Sequence, residues 1–484
     1  MMHQITKITF ACCGLVSFQA YAQKAPNIIL ILADDMGYGD LTVTGATQYH
    51  TPAIDRLAGE GMTFTQFYSA QPISSASRAG LLTGCYPNRV GISGALYPQS
   101  KIGLNKDEET IAEILKKKGY MCGMVGKWHL GSMQPFLPLQ NGFDDYLGLP
   151  YSNDMWPVDY EGNRVTPDSG LAHKLRHPAL PLIDGNEKVK EIWTLEDQGQ
   201  LTTLYTQRAI QFIRKCKHEE TPFFLYFAHS MPHVPLAVSG KFKGKSRQGL
   251  YGDAMMEIDW SLQEIMNTLK EYQLDENTLI IFTSDNGPWA NFGNHAGSTG
   301  GLREAKATTF EGGQRVPCIM RWKGVIPEGK ICNELTSAID ILPTLAEITK
   351  AASPSNKIDG VSILPLLTGN MDESPRKYFL YYYGGNDLEA IRDSRFKLIF
   401  PHEHESYRTN LPGNDGFPGI RGRSRISVSL FDMRRDPGEQ YNVADLYPDA
   451  VKRLSAVADS ARTDLGDNLT KREGENRRPH GSIE

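Results

Sequence analysis

The chain has 484 residues, 40% of them hydrophobic and 22% charged, with a formal net charge of −5. That length supports one large α/β domain and a smaller second one. The acidic balance and the lack of a basic stripe exclude nucleic acid as the main partner, and no apolar run reaches the ~20 residues of a membrane span. At the N-terminus, Lys7 precedes an apolar stretch over residues 8–18 and then Ala20-Tyr21-Ala22. Charge, apolar run and small-x-small order predict a signal peptide over residues 1–22, cut near Gln23, and a periplasmic or secreted protein. Cys12 and Cys13 lie inside that run, and Thr9-Phe10-Ala11 before them is a poor context for lipid anchoring. The five remaining cysteines, Cys85, Cys122, Cys216, Cys318 and Cys332, are scattered without a Cys-x-x-Cys. They read as small buried hydrophobes, with room for one bridge and no disulfide framework.

Residues 27–32, Asn27 and then five apolar residues in a row, have the pattern of a central strand covered on both faces, and they lead to Asp34-Asp35. Thr51-Pro52 predicts a helix start, with Thr as cap and Pro at the first position. Residues 72–84, Pro-Ile-Ser-Ser-Ala-Ser-Arg-Ala-Gly-Leu-Leu-Thr-Gly, put three hydroxyls and Arg78 at the head of a helix-compatible run. Residues 108–118 read as an amphipathic helix and 121–125 as a strand ending in Gly126-Lys127-Trp128-His129-Leu130-Gly131. Residues 132–195 are rich in Pro, Gly, Asn and Asp and are expected to form loops over the sheet edge, Leu149-Pro150-Tyr151-Ser152-Asn153-Asp154 among them. A helix marked by Leu201, Leu204, Tyr205, Ile210 and Ile213 precedes a strand at 223–227, which leads into His229 and Pro232-His233-Val234-Pro235. Met255, Ile258, Leu262, Ile265, Met266 and Leu269 keep helical spacing, and the strand at 278–282 ends in Ser284-Asp285-Asn286-Gly287.

Four strands thus end in polar clusters with helices between them. The expected fold is α/β, a large doubly wound, mostly parallel sheet with one active edge, continued by a strand at 318–322 and a helix at 341–348. The catalytic domain is expected over 23–373. From 374 to 484 the pattern changes to short strands near 378–383, 391–399 and 430–433 and a helix near 450–461, a small C-terminal antiparallel sheet plus helix. Residues 401–425 are Gly-rich and unplaced, and 471–484 read from their charge as a mobile tail.

The chemistry concentrates at the strand ends. Ser and Thr before a helix are ordinarily N-caps, but a helix start also attracts anions, and Arg78 one turn on could hold one. Asp34, Asp35, Asp285 and Asn286 are all-oxygen donors, which select calcium or magnesium over zinc. Lys127, His129 and Lys306 supply positive or proton-carrying groups. His233, between prolines, is preferred to His229 as proton donor, since a histidine near pKa ~6.5 transfers protons close to neutrality.

Ser74-Ser75-Ala76-Ser77-Arg78 with Leu82-Thr83-Gly84 resembles the Cys/Ser-x-Pro/Ala-Ser-Arg signature of the type I sulfatases. Gly-Lys-Trp-His at 126–129 and Lys306 ahead of Glu311-Gly312-Gly313 resemble two further motifs of that family, with Ala307 where the family has Gly. Leu149–Asp154, Arg392–Ile399 and Asp436-Pro437-Gly438-Glu439 resemble the branch holding arylsulfatase A and N-acetylgalactosamine-6-sulfatase, and residues 465–481 resemble the end of bacterial members. The resemblance implies an alkaline-phosphatase-like fold and oxidation of Ser74 to formylglycine (3-oxoalanine) by an anaerobic-type sulfatase-maturing enzyme. It implies a calcium site, open to magnesium, made by Asp34, Asp35, Ser74, Asp285 and Asn286. Arg78 and Lys127 would hold the nucleophile and sulfate oxygens, His233 and Lys306 would serve the leaving oxygen, and His129 would take the proton that expels sulfate. Substrate contacts would come from Lys127, Ser152, His233 and Lys306, with Asn153, Asp154, His173 and the 401–425 loop as further specificity candidates. The expected reaction is exo-acting removal of sulfate from galactose- or N-acetylgalactosamine-type sugars of host glycans. The alternatives are a phosphodiesterase or phosphonate monoester hydrolase of the same superfamily, or a non-catalytic glycan-binding protein if Ser74 stays unmodified.

Overall fold

In strand β1 (Asn27–Ala33) all seven side chains are buried. Ile28, Leu30 and Leu32 pack into one apolar layer and Ile29, Ile31 and Ala33 into the opposite one. An apolar run without alternation needs cover on both faces, and that sets β1 in the middle of the sheet. The structure is a computed structural model that describes residues 25–483, so the signal-peptide reading of residues 1–22 lies outside the described residues.

The strands that follow are β2 (Met62–Tyr68), β3 (Ile102–Gly103), β4 (Met121–Lys127), β5 (Asp145–Leu149), β6 (Leu180–Asp184), β7 (Glu187–Ile192), β8 (Phe223–Ala228), β9 (Thr278–Ser284), β10 (Arg315–Arg321), β11 (Lys330–Cys332) and β12 (Thr336–Ser337). All but β3 join one large sheet in the order β11-β2-β10-β9-β1-β8-β4-β5-β6-β7, with β12 beside β2. The central strands β9, β1, β8, β4 and β5 run parallel, and antiparallel β10, β6 and β7 flank them. The helices are α1 (Pro52–Gly59), α2 (Ser74–Thr83), α3 (Ile111–Lys116), α4 (Leu195–Gly199), α5 (Leu201–His218), α6 (Gly249–Glu271), α7 (Glu311–Gln314), α8 (Ile341–Thr349), α9 (Leu364–Leu367) and α10 (Pro448–Leu465). α2, α3 and α8 cover one face, and α1, α5 and α6 the other. No helix among the described residues is long and apolar enough to cross a membrane.

A second sheet pairs β13 (Phe379–Tyr383), β14 (Asp387–Arg392), β15 (Phe396–Ile399) and β18 (Ser429–Asp432), all antiparallel. α10 packs on it through Ala450, Leu454 and Ala458. The doubly wound sheet and the small antiparallel sheet with its helix are therefore present as expected.

The differences lie in the segments read as loops. Residues 132–195 hold three strands. β5 extends the parallel sheet, and β6 and β7 close its edge as a hairpin across Gly185. β7 reads Glu-Lys-Val-Lys-Glu-Ile with five exposed residues, a charged rim that discourages edge pairing. Residues 401–425 form most of a hairpin, β16 (His402–Ser406) with β17 (Gly422–Ile426). The tail is ordered: β19 (Gly466–Asp467) pairs with β20 (Arg472–Glu473), and β21 (Gly481–Ser482) pairs with β3. Charge misled there, because Arg478 is spent on Glu108 at 2.6 and 2.8 Å. The helix expected over 108–118 is α3 alone, started by a reciprocal Thr110–Glu113 cap. Thr51 makes no capping bond and instead donates to Asp55 at 3.3 Å. Cys85, Cys122, Cys216, Cys318 and Cys332 are all free and buried.

Candidate active site

The carboxyl ends of β1, β4, β5, β8 and β9 meet above the start of α2. Ligand groups gather there in open α/β sheets because the strands deliver loops to one edge. Ser74 is the first residue of α2, and Ile73 rather than a serine occupies the cap position. The ordinary capping role is therefore not what Ser74 does. Its Oγ donates to Asp34 Oδ1 at 3.2 Å and accepts from Lys127 Nζ at 3.4 Å.

Lys127 Nζ also donates to Asp34 Oδ2 at 2.6 Å and to Ser152 Oγ at 3.1 Å. Arg78 is fully buried. Its Nε and Nη2 grip Asp285 Oδ2 at 3.0 and 2.8 Å, and its Nη1 donates to the Lys127 carbonyl at 2.7 Å. Arg78 is thus seated on Asp285, with Nη2 3.6 Å from Asp34 Oδ1, the oxygen that Ser74 Oγ bonds. Lys306 Nζ donates to Asp35 Oδ2 at 2.7 Å, and His233 Nε2 lies 3.5 Å from the same oxygen. Asp35 Oδ1 accepts from Asn286 Nδ2 at 2.6 Å, and the Asp35 backbone N–H donates to Asp285 Oδ1 at 3.1 Å.

Three carboxylates, Asp34, Asp35 and Asp285, therefore face three cations, Arg78, Lys127 and Lys306. Burial pushes the Asp34 carboxyl up, but Lys127, Arg78 and Lys306 outweigh it and hold the group below its ordinary range. Burial lowers Lys127, opposed by Asp34, and the net shift is downward. For Lys306, Asp35 and Asp34 overcome burial and raise it. The group fits a hard dication. Asn286 Oδ1 is buried with no hydrogen-bond partner among the described residues. Asp34, Asp35 and His233 each offer an atom within 4.8 Å of one another. The oxygen donors among them, from Asp34, Asp35 and Asn286, suit calcium or magnesium.

His129 Nε2 sits 2.9 Å from the Leu96 carbonyl, which only accepts, so Nε2 carries the hydrogen and the unpartnered Nδ1 keeps a lone pair. Burial, reinforced by Lys127 and Arg78, drives its pKa well below the ordinary value. His233 Nδ1 lies 2.5 Å from the Val234 carbonyl. Burial and then Lys306 push its pKa down to about 4 against the pull of Asp35, so both histidines are neutral at pH 7, where an exposed imidazole of pKa ~6.5 is about a quarter protonated. His229 stays in the interior against Phe227, 4.3 Å between ring centroids.

Above this centre opens a cleft of about 420 Å³. Ser74, His129, Ser152, Asp154, His173, His233 and Lys306 line it. Pro418, Gly419 and Arg421 reach it from the 401–425 segment. Asn153 does not: it is turned inward, donating to Gln198 Oε1 at 3.1 Å and to the His233 carbonyl at 3.3 Å. The sequence reading did not single out Lys174, Tyr160, Trp289 or Tyr383, which also line the cleft. Trp289 follows the Asp285-Asn286-Gly287 strand end, and Lys174 lies in the basic His173-Lys174-Leu175-Arg176-His177, so each had a local signal.

Comparison with known proteins matches residues 26–351 to the sulfatase family and residues 374–480 to the C-terminal region of aryl-sulfatase. Residues 305–409 match the C-terminal part of N-sulphoglucosamine sulphohydrolase. The chain is 36% identical to dog (Canis lupus familiaris) N-acetylgalactosamine-6-sulfatase over 90% of its own length and 86% of that protein's. It is also 36% identical to human (Homo sapiens) arylsulfatase A, over 90% and 87%. Among solved structures, the PsFucS1 sulfatase from Pseudoalteromonas sp. superposes with a TM-score of 0.81 at 28% identity, covering 90% of each chain. A sulfatase described with the metabolism of multiple glycosaminoglycans by Bacteroides thetaiotaomicron gives 0.75 at 32% identity, covering 91% of this chain and 100% of that one. The Agrobacterium radiobacter phosphonate monoester hydrolase shares the fold, with a TM-score of 0.61 at 19% identity over 90% of this chain and 95% of that one.

Proposed function

The chain belongs to the sulfatase family and is a sulfuric ester hydrolase, and from that premise we propose that it removes sulfate from the terminal sugar of a sulfated carbohydrate through a formylglycine made from Ser74. The observation that carries the reading is the seat of Ser74 Oγ: on the cleft floor, within reach of Asp34 Oδ1 and Lys127 Nζ. Relatives acting on N-acetylgalactosamine 6-sulfate support a galactose-type sugar. A cleft of about 420 Å³ with loop residues such as His173 and Gly419 in its wall supports exo action.

An unmodified serine cannot complete the cycle. Once sulfated it is a plain ester with no second hydroxyl to expel the sulfate. Oxidation of Ser74 by a maturing enzyme, with loss of two hydrogens to that enzyme's electron acceptor, makes an aldehyde whose hydrate supplies that hydroxyl. Modification before export would fit an enzyme of the periplasm or outside the cell. Asp34, Asp35, Asp285 and Asn286 would hold a calcium ion, which when bound lowers the nucleophile's proton affinity and offsets sulfate charge. Lys127 holds the nucleophilic oxygen by its ammonium. His233 and Lys306 both meet Asp35 Oδ2 and line the cleft beside Ser74, where they can serve the leaving oxygen. His129 Nδ1, neutral and unpartnered, can accept the proton whose loss releases sulfate.

Peptide mass spectrometry across Ser74, on protein made with its maturation system, tests the reading. We expect a peptide lighter by two hydrogens and hydrolysis of sulfate esters that disappears in Ser74→Ala. Unmodified serine in protein from the natural host would sink the mechanism. Faster turnover of phosphonate monoesters than of any sulfate ester would move the chain to the phosphoryl branch.

A further inference from the structure

Two polar atoms in the cleft wall make no hydrogen bond among the described residues. Lys174, on the turn Ala172–Arg176, is only 3% exposed, yet its Nζ makes no hydrogen bond among the described residues. It lies over the ring of Tyr160, 4.4 Å from the centroid. Asp154, in the loop after β5, likewise shields Oδ1 without a hydrogen bond. Both residues line the cleft that holds Ser74.

Leaving a buried donor or acceptor unsatisfied costs ~1–3 kcal/mol, and more when it is charged. Such a pair persists where a ligand completes it. Burial pushes the Asp154 carboxyl up, but the positive field around it, in which Lys174 is the group charged at pH 7, holds it below its ordinary range as a carboxylate. It can only accept, and Lys174 can only donate. A second sulfate or a carboxylate would satisfy Lys174 and be repelled by Asp154. An ammonium group would do the reverse. A neutral group that offers one donor and one acceptor satisfies both.

We propose that Asp154 and Lys174 form a clamp for two neighbouring free hydroxyls of the sugar whose sulfate ester lies at Ser74. The proposal rests on the sulfatase reading above and adds what the site selects. One hydroxyl donates to Asp154 Oδ1 and the other accepts from Lys174 Nζ. A glycosidic bond at either hydroxyl removes the donor or fills the space, so the clamp admits chain-terminal sugars and turns internal ones away. It is a chemical basis for exo action.

The test compares kcat/KM for a panel of monosulfated hexoses and N-acetylhexosamines with that for nitrophenyl sulfate, which offers no hydroxyls. In matured wild-type enzyme and in Lys174→Met, Lys174→Gln and Asp154→Asn, the readout is the sugar-to-aryl ratio. The ratio should fall about 10- to 100-fold in Lys174→Met and in Asp154→Asn. Lys174→Gln, which keeps an N–H donor, should retain more of it than Lys174→Met. A ratio unchanged in Lys174→Met and Asp154→Asn, an equal loss in the Gln and Met variants, or a wild type that cleaves the aryl ester and no sugar would overturn the clamp while leaving the sulfatase reading intact. No hydrolysis of any sulfate ester by matured wild type would overturn both.

Discussion

Asp35, His129 and Ala307 all sit in the left-handed backbone region, with φ of 63°, 65° and 65°. Each such residue costs ~1–3 kcal/mol unless its surroundings enforce it, and all three lie at the catalytic edge of the sheet. At Asp35 the enforcing contacts are visible: its backbone N–H bonds to Asp285 and its carboxylate holds Asn286 and Lys306. With three carboxylates already balanced by three cations, a bound dication leaves the centre positive, which favours an anionic substrate. Calcium added to chelator-treated protein should raise the melting temperature, by the equivalent of about 4 kcal/mol at a thousandfold excess over Kd. In Asp35→Asn that calcium-induced shift should shrink or vanish, as calorimetry can read without any turnover. An equal shift in both proteins would remove Asp35 from the ligand set.

At the scale of elements, the site depends on how closely β4 approaches β8. Gly126 has φ of +107°, and a Cβ there would lie 1.7 Å from the Ala228 carbonyl oxygen. Only glycine lets the strand that delivers Lys127 run so near its neighbour. Gly126→Ala should therefore cost about 3 kcal/mol or more and weaken turnover through Lys127. Gly119→Ala is the control: φ there is also positive, at +80°, but nothing lies within 4 Å of the added carbon. Denaturant midpoints of the two variants give the comparison, and equal losses would mean that backbone angle alone, not the close approach, matters. β1, β4, β8 and β9 were each visible as an apolar run closed by a polar cluster. β5 was not, because its run, Asp-Tyr-Leu-Gly-Leu, is short and stands in Pro- and Gly-rich surroundings. Its place is fixed by pairing with β4, not by its own propensity.

In the whole molecule, the small sheet braces the segment that carries Lys306. Glu311, at the head of α7, is held by Lys397 of β15 at 3.1 Å and by Tyr381 of β13 at 3.0 Å. Lys397, Arg392 and Arg315 override burial and bring the Glu311 carboxyl down to about 2. Tyr383 of the same sheet lines the cleft. A second tie runs through Arg89, which bridges Asp359 and Asp464 at 2.6 Å each. Burial raises Asp464, but Arg89, Lys357 and Asn476 more than reverse it, and the carboxyl is held well below the usual carboxylate range. A depressed carboxyl stabilises the fold fully above its unfolded value of ~3.9 and less as pH falls below that. Asp464→Asn should thus melt below wild type at pH 7, and the gap should close as pH drops below about 4. A gap constant from pH 7 to pH 3 would show that the tie is not ionic.

Local chemistry was enough to read the doubly wound sheet, the residues at its strand ends and the small antiparallel sheet. Buried parallel strands must be apolar throughout, and the groups that meet a ligand must follow them directly, so both leave marks within a few residues. The cleft above the centre was decided by contacts distant in the chain. Lys174, the 401–425 hairpin and Tyr383 reach one wall from three separate segments. The seat of Arg78 depends on Asp285, 207 residues away. The choice of His233 over His229 for the cleft depends on Asp35 and Lys306. Local propensity carries no record of such pairings, because their energy exists only once the sheet has brought the segments together.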